Sequence, residues 1–485
     1  MEKKTEAAFS VYMTLMLAVM IPLIFTMIEA ARINAIKLRL ECAVALSLDS
    51  VSAEYNRELM EQYELLFIDT AYDMNYGSTD EMVEHLKDCL SYNLSPSKGF
   101  LLPGTADLYG LSTESAEVIN VSRATDKKGA VFRYMVMSAM LDRYGLSYVE
   151  DAKDLVNRSK SEALYSGNIA NDLSDAQSRV NAIEAPTPTP APTLTEDEDA
   201  EVYVPPAKDN PASKVNGLKN RGILTTVCKG AVSARTIKPK EYVSGRRLIK
   251  GDGMCTDWKE RNSLAEQLMF NEYILEKCGN YITPKPGSRL AYEAEYVIGG
   301  KSCDTDNLKA VANGILLMQG ASNYTVFYSS KDLQKQAESA AALLSFVIMV
   351  PESKDAFQAL LSAAWIYSES IYDTRIVFAG GKVPLIKKRE DWHLSLAAAL
   401  SCSYGPVPTG GEGCDYKDYL RLLLYAVSLD KRTVRLMDIV EMDVRERTGN
   451  EYFKLDNCVG AASLRFIFRS SYGYSFLMER RFRYV

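Results

Sequence analysis

The chain has almost no histidine: two residues in 485, His85 and His393. Chemistry that runs on imidazole therefore has two places to go. There is no CxxC pair among the nine cysteines, so the usual zinc-site spacing is missing. No G-x-S-x-G elbow is present, although triads also assemble from distant residues. Basic residues do not outnumber acidic ones: 56 Lys and Arg against 63 Asp and Glu give a net charge of −7. A nucleic-acid binder needs a basic face, so no nucleic-acid partner is expected. Helix breakers are scarce at the start, with no glycine before Gly77 and Pro22 alone before Pro96.

What stands out is a stretch without charge. Ala7 to Ile28 reads AAFSVYMTLMLAVMIPLIFTMI, twenty-two residues bounded by Glu6 and Glu29. About 20 apolar residues suffice to cross the hydrocarbon core of a bilayer as a helix. A cleaved secretory signal is the rival, but its apolar region is shorter. A buried globular helix is a third reading. The stretch thus predicts a single-pass anchor and a lipid bilayer as partner. Lys3 and Lys4 precede it; Arg32, Lys37 and Arg39 follow. Counted by the positive-inside rule, those residues slightly disfavour export of the large C-terminal portion.

Beyond Arg32 an apolar stripe continues through Ile33, Ile36, Leu40, Val44, Leu48, Val51, Tyr55 and Leu59 at spacings of three and four. One rod from Ala7 to Met60 would run roughly 80 Å. Its outer half is amphipathic and must bury its stripe, against its own domain or a neighbouring subunit.

Helices are expected over Asp80–Leu90, Val131–Leu141, Ser147–Ala185, Asn262–Lys277, Asn307–Met318, Leu333–Val350, Ala356–Tyr372, Asp391–Leu400, Asp415–Ser428 and Lys431–Arg445. Phe100–Gly110 reads as turns. Gly222–Val232, Lys238–Leu248 and Val326–Ser329 read as extended. Arg289–Ile298 alternates like a strand, with Leu290, Tyr292, Ala294, Tyr296 and Ile298 on one face. Asn457–Arg469 and Tyr474–Tyr484 read as a closing antiparallel hairpin. The uncharged runs Ser339–Pro351 and Ala356–Ser368 are too short to span and are expected as buried core helices. Residues 185–217 hold seven of the 17 prolines and an acidic cluster from Glu196 to Glu201, the composition of a solvated linker. The expected architecture is α+β and mainly helical, with a small antiparallel sheet in the C-terminal half. The expected segments are 1–31 (tail and transmembrane helix), 32–184 (helical region), 185–217 (linker) and 218–485 (α+β domain).

Candidate chemistry is thin. Gly299-Gly300-Lys301-Ser302 imitates the end of a phosphate loop, but that fingerprint needs glycine where Glu295 stands. Asp304, Asp306 and Asn307 offer oxygen ligands without the glycine and distal glutamate of a calcium loop; helix capping is the plainer reading. Cys402 and Cys414 flank a Pro- and Gly-rich loop that a disulfide would close in an exported protein. His85 and His393 lack a companion ligand and read as packed or solvent histidines. Glu479-Arg480-Arg481-Phe482-Arg483-Tyr484 reads as a solvated strand face, with contact to anionic polymer or headgroups as the alternative. No catalytic, cofactor-binding or metal residue is assigned, and no cofactor is expected.

The segments IEAARINAIKLRLECAVALSLDSVSAEYNRELMEQYELLFID from Ile28, SESIYDTRIVFAGGKVPLIKKREDW from Ser368 and GCDYKDYLRLLLYAVSLDKRTVRLMDIVEMD from Gly413 resemble an uncharacterised clostridial family. That family is itself similar to the TadE/TadG pilus-assembly group. The resemblance implies a membrane-tethered, outward-facing protein, structural or accessory in a Tad-like pilus or cell-surface assembly. It implies no site residues. True prepilins carry glycine before their cleavage point and glutamate at the fifth mature position; Glu6 here follows Lys3-Lys4-Thr5 with no glycine. Assembly proteins would be met through the amphipathic helix. A surface hydrolase and a cell-wall binding module are the alternative functions.

Overall fold

The computed structural model describes residues 2–94, 109–145, 153–154, 156–157, 222–259, 262–347, 354–401, 404–407 and 410–484. The expected linker, most of Phe100–Gly110 and most of Ser147–Ala185 lie outside these residues. Helix outweighs strand, with one small antiparallel sheet closed by the C-terminal hairpin, as the composition of the segments implied. The chain forms two compact units, each assembled from separated segments.

The first unit comprises residues 1–139, 247–260 and 444–485. It begins with α1 (Glu2–Ser52), a continuous helix with Pro22 inside it. Side chains from Phe9 to Ile28 are exposed, while Ile36, Leu40, Val44, Leu48 and Val51 are buried. The stripe read from the sequence therefore packs within the chain's own fold, on α3 (Thr79–Leu94) and β4 (Ser475–Arg483). The rod stops at Ser52, short of Met60. Asn56 then caps α2 (Arg57–Tyr63), its Oδ1 accepting from the Leu59 N–H at 3.0 Å, a standard way to satisfy a free helix donor. Tyr55, left in the break, is 39% exposed.

The sheet is built around β3 (Cys458–Ser470), which pairs antiparallel with β1 (Ile68–Asp69), β2 (Leu111–Arg123) and β4. Phe466 and Phe468 are buried on one face of β3; Arg465 and Arg469 lie on the other. That alternation is what a sheet with one covered face requires. β2 was not expected. Its sequence, LSTESAEVINVSR, is polar, and its pairing with β3 carries three register shifts. Its hydrogen-bond partner lies far away in the chain, so no local pattern announces it. α4 (Asp126–Tyr144) follows, with left-handed backbone at Lys127, Lys128 and Gly129 before the regular turns.

The second unit comprises residues 140–246 and 261–443. Its elements are α5 (Ile223–Val227), α6 (Leu264–Lys277), α7 (Glu293–Gly299), α8 (Asp304–Ser329), α9 (Lys331–Val347), α10 (Lys354–Phe378), α11 (Leu396–Ser401), α12 (Tyr416–Ala426) and α13 (Leu429–Thr448), the last running on past the unit's end. Val326, Phe327, Leu333, Ala337, Trp365, Ile366, Trp392 and Ala399 form a buried cluster. Trp365 meets Trp392 edge-on at 5.7 Å between ring centroids, and Phe327 packs on both. The run Ala356–Ser368 serves this core through Trp365 and Ile366 of α10, as its length implied; the described part of Ser339–Pro351 is buried on one side only, with Ala341 packed on Phe357 and Leu361 and Leu343 68% exposed.

Five expectations for this unit are corrected. Asp391–Leu400 is helical only from Leu396, as α11, after a 3-10 turn at Arg389–Asp391. Arg289–Ile298 is not a strand; it contains α7. Glu293, Ala294, Glu295, Tyr296 and Val297 are all buried, so the apparent alternation came from two acids that are themselves inside. Val326–Ser329 is the last turn of α8: burial of Val326 and Phe327 against the tryptophans overrides their weak helix propensity. Gly222–Val232 holds the short α5, and Lys238–Leu248 holds a single 3-10 turn at Pro239–Glu241.

Candidate functional site

α10 carries Glu369 and Asp373 one turn apart, at the end of the uncharged run. Both side chains are fully buried. The segment after α10 turns back and places Lys387 between them. Lys387 Nζ donates to Glu369 Oε1 at 2.8 Å and to both oxygens of Asp373 at 3.0 Å, with no exposed side-chain surface. His393 closes the group from outside. Its Nδ1 lies 3.2 Å from Glu369 Oε1 and 3.6 Å from Asp373 Oδ1, and its side chain is 34% exposed.

The remaining lone pairs are taken by the backbone and by α8. Glu369 accepts from the His393 N–H at 2.8 Å and, through Oε2, from the Leu394 N–H at 2.8 Å. Asp373 Oδ2 accepts from Asn323 Nδ2 at 2.8 Å. The Lys387 N–H donates to Ser322 Oγ at 2.9 Å. Pairing with Asp373 and then Glu369 lifts the His393 pKa to about 9, so the ring is an imidazolium at neutral pH. Burial alone would raise the Glu369 carboxyl, but the His393 hydrogen bond and the Lys387 charge outweigh it and hold it below its ordinary value.

Glu369, Asp373 and His393 have the residue types and closeness of a three-ligand metal set. The donor chemistry does not fit. A metal needs a neutral imidazole and open carboxylate oxygens. Here an ammonium group already sits between the carboxylates and takes the oxygens that a metal would need. Two negative and two positive charges balance. The arrangement is a closed clamp that ties 387–394 to α10, and its charges face one another rather than a substrate.

A second buried group surrounds α7. Burial pushes the Glu295 carboxyl up to about 7, although Tyr416 Oη donates to it at 2.6 Å and the Tyr281 N–H at 2.8 Å. Burial, and then the nearby charge of Asp443, push Glu293 up to about 8. Glu293 accepts from the Gly279 N–H at 2.7 Å, and Lys285 pairs with Asp443 at 2.6 Å. Among the described residues Glu295 Oε2 meets no hydrogen-bond partner. Both acids serve to pin the 279–285 loop.

The other residues singled out in the sequence are dispersed. His85 bonds Glu54 through Nδ1 at 2.9 Å and packs on the ring of Tyr72, whose hydroxyl donates to the same Glu54 oxygen at 2.8 Å. It fastens α3 to the end of α1. Gly299 and Gly300 end a helix rather than a strand; Asn307 bridges the N–H and C=O of Lys301, and the Arg435 guanidinium lies against Gly300. No anion cradle forms there. Asp304 does not cap α8. It is buried and accepts from Ser233 Oγ at 2.7 Å and the Ala291 N–H at 3.0 Å. Cys402 lies outside the described residues, so its pairing with Cys414 is not described; among the described residues Cys42, Cys89, Cys228, Cys255, Cys278 and Cys303 form no disulfide. In the C-terminal strand, Arg480 pairs with Glu41 at 3.2 Å and Arg481 with Asp257 at 2.9 Å.

Sequence reasoning named His393 and missed Glu369, Asp373 and Lys387. The available signal was two acids four residues apart on a helix otherwise apolar enough to be core. No curated protein and no solved structure matches the chain. A family model does, across residues 201–470, more than half of the length and including Glu369, Asp373, Lys387 and His393. The chain therefore belongs to the family of unknown function designated DUF5702.

Proposed function

We propose that this is a single-pass membrane protein whose folded units face away from the cytosol, structural or accessory in a Tad-like pilus or cell-surface assembly. One observation carries the anchor. The apolar window of α1 is long enough to span a bilayer and none of it is buried in the fold, while the next turns of the same helix are core. Fifteen exposed large apolar side chains between Phe9 and Ile28 would be a severe liability in water; in lipid they are the expected surface. A signal sequence passes the same length and composition test. Against it stands the continuity of the helix, which leaves no break between the apolar window and the buried stripe.

The assembly role rests on the resemblance of the Ile28, Ser368 and Gly413 segments to the TadE/TadG-like family. Because the buried stripe is already packed on α3 and β4, an assembly partner in this reading meets the exposed apolar window of α1 or its outer face at Leu38, Cys42 and Leu46. The balanced charges of the Lys387 clamp favour a structural role over a hydrolytic one.

The test is membrane extraction with intact mass. Full-length protein is expected to stay in the pellet after carbonate washing and to float with vesicles. Recovery of the uncleaved chain in the aqueous fraction overturns the anchor, and a mature chain starting near Glu29 assigns α1 to a signal. Sidedness is read at the exposed Cys42, expected to react with a membrane-impermeant maleimide on intact cells. Labelling only after lysis reverses the orientation.

A further inference from the structure

The C-terminal strand tracks the second half of α1, from Glu29 to Ser52. Tyr474 Oη donates to Glu29 Oε1 at 2.5 Å, Arg480 Nη2 to Glu41 Oε1 at 3.2 Å, and Tyr484 Oη to the Ser52 carbonyl. From Glu29 to Ser52 the helix rises about 35 Å, and from Tyr474 to Tyr484 the strand advances about 33 Å. The two elements run in the same direction with matched lengths. The turn between β3 and β4 is therefore level with Glu29, the first charged residue after the apolar stretch.

That turn is aromatic. The Arg32 guanidinium lies 4.4 Å from the centroid of the Tyr472 ring and pairs with Glu29 at 2.7 Å. Tyr472 is 49% exposed and Leu477, just beyond the turn, 64%. Arg469 on the other arm is largely exposed and reaches Glu114 at 3.6 Å. The headgroup layer of a bilayer is roughly 5–7 Å deep on each side of the hydrocarbon. Glu29 and Arg32 lie about 1.5 and 6 Å beyond Ile28 along the helix axis. Tyrosines concentrate at that depth because the ring is apolar and the hydroxyl is not, and arginines there meet lipid phosphates.

We infer that the β3–β4 turn is a second membrane contact, seated in the headgroup layer of a lipid surface beside the point where α1 enters it. Tyr472 and Tyr474 are its interfacial anchors, and Arg32 and Arg469 are its phosphate-facing charges. The inference rests on the anchor reading of α1. It makes the hairpin part of how the first unit is held, rather than a free edge of its sheet.

The full-length Tyr472→Trp protein, reconstituted in phosphatidylcholine–phosphatidylglycerol vesicles with bromine high on the acyl chains, tests this. Trp258, Trp365 and Trp392 are buried and give the background. The added indole emission is expected to be quenched relative to unbrominated vesicles. The control is Tyr452→Trp. Tyr452 is exposed and its N–H bonds Asn450, which bonds Asp73 at the far end of α1; no quenching is expected there. Leu477→Trp is a second reporter that leaves the turn intact. Vesicle-bound protein with neither the Tyr472→Trp nor the Leu477→Trp signal quenched overturns the contact and leaves the anchor standing. Failure to float with the vesicles overturns the anchor and the contact together. Equal quenching at Tyr452→Trp also overturns it, because the unit then lies flat on the surface.

Discussion

At the scale of single residues, the Lys387 clamp is the most demanding arrangement in the chain. Two carboxylates and an ammonium with no solvent contact are tolerated only because each is paired and hydrogen-bonded. Lys387→Met keeps the length and removes the charge, leaving Glu369 and Asp373 to face one another. The expected cost is about 3–5 kcal/mol of unfolding free energy, read by urea denaturation. A cost below about 1 kcal/mol would mean the carboxylates do not depend on Lys387. His393→Ala is expected to cost less, since its ring is partly exposed and the Glu369 contact to the His393 backbone survives. Little of this was legible beforehand. A histidine draws the eye as a catalytic type, whereas a lysine that belongs to a buried ion pair looks in sequence like any surface lysine.

At the scale of elements, long amphipathic helices were legible and partner-dependent strands were not. The period of α1 fixed its buried face down to Leu40 and Val44, because a helix carries its own hydrogen bonds and needs only a one-sided stripe. The hairpin of β3 and β4 was equally readable, since its arms are neighbours in sequence. β2 depends on pairing with a strand more than 300 positions away, and α7 looks like a strand only if its buried acids are assumed to face water. The stripe invites a paired measurement. Leu40→Ala, at a fully buried position, is expected to cost about 2–5 kcal/mol. Leu38→Ala, at a position 64% exposed, is expected to stay within about 0.5 kcal/mol of the parent. Equal costs would show that α1 packs on a different face.

At the scale of the whole molecule, the protonation balance sets a pH dependence. Glu295 and Glu293 keep their protons up to about 7 and about 8 when folded, against an ordinary value of 4.5. His393 keeps its proton up to about 9, against 6.5. Asp69 in the first unit holds on up to about 6. Over this window the folded chain binds more protons than the unfolded one, so stability falls as pH rises. The melting temperature is expected to decline from about pH 6 to about pH 9, and Glu295→Gln is expected to flatten the lower part of that decline. A melting temperature constant or rising over the same range would contradict it. The division into units was not legible either, because residues 444–485 return to the first unit after the whole of the second has been made. A further consequence follows from α1 having no hinge between its exposed apolar turns and its buried ones. With the apolar end embedded, a sideways push on the first unit is borne by the helix as a lever, and any tilt it takes in the lipid is copied by the sheet beside it. Tension drawn through the anchor would load α1 against β4 in shear along their shared length, with no slack tether to absorb it.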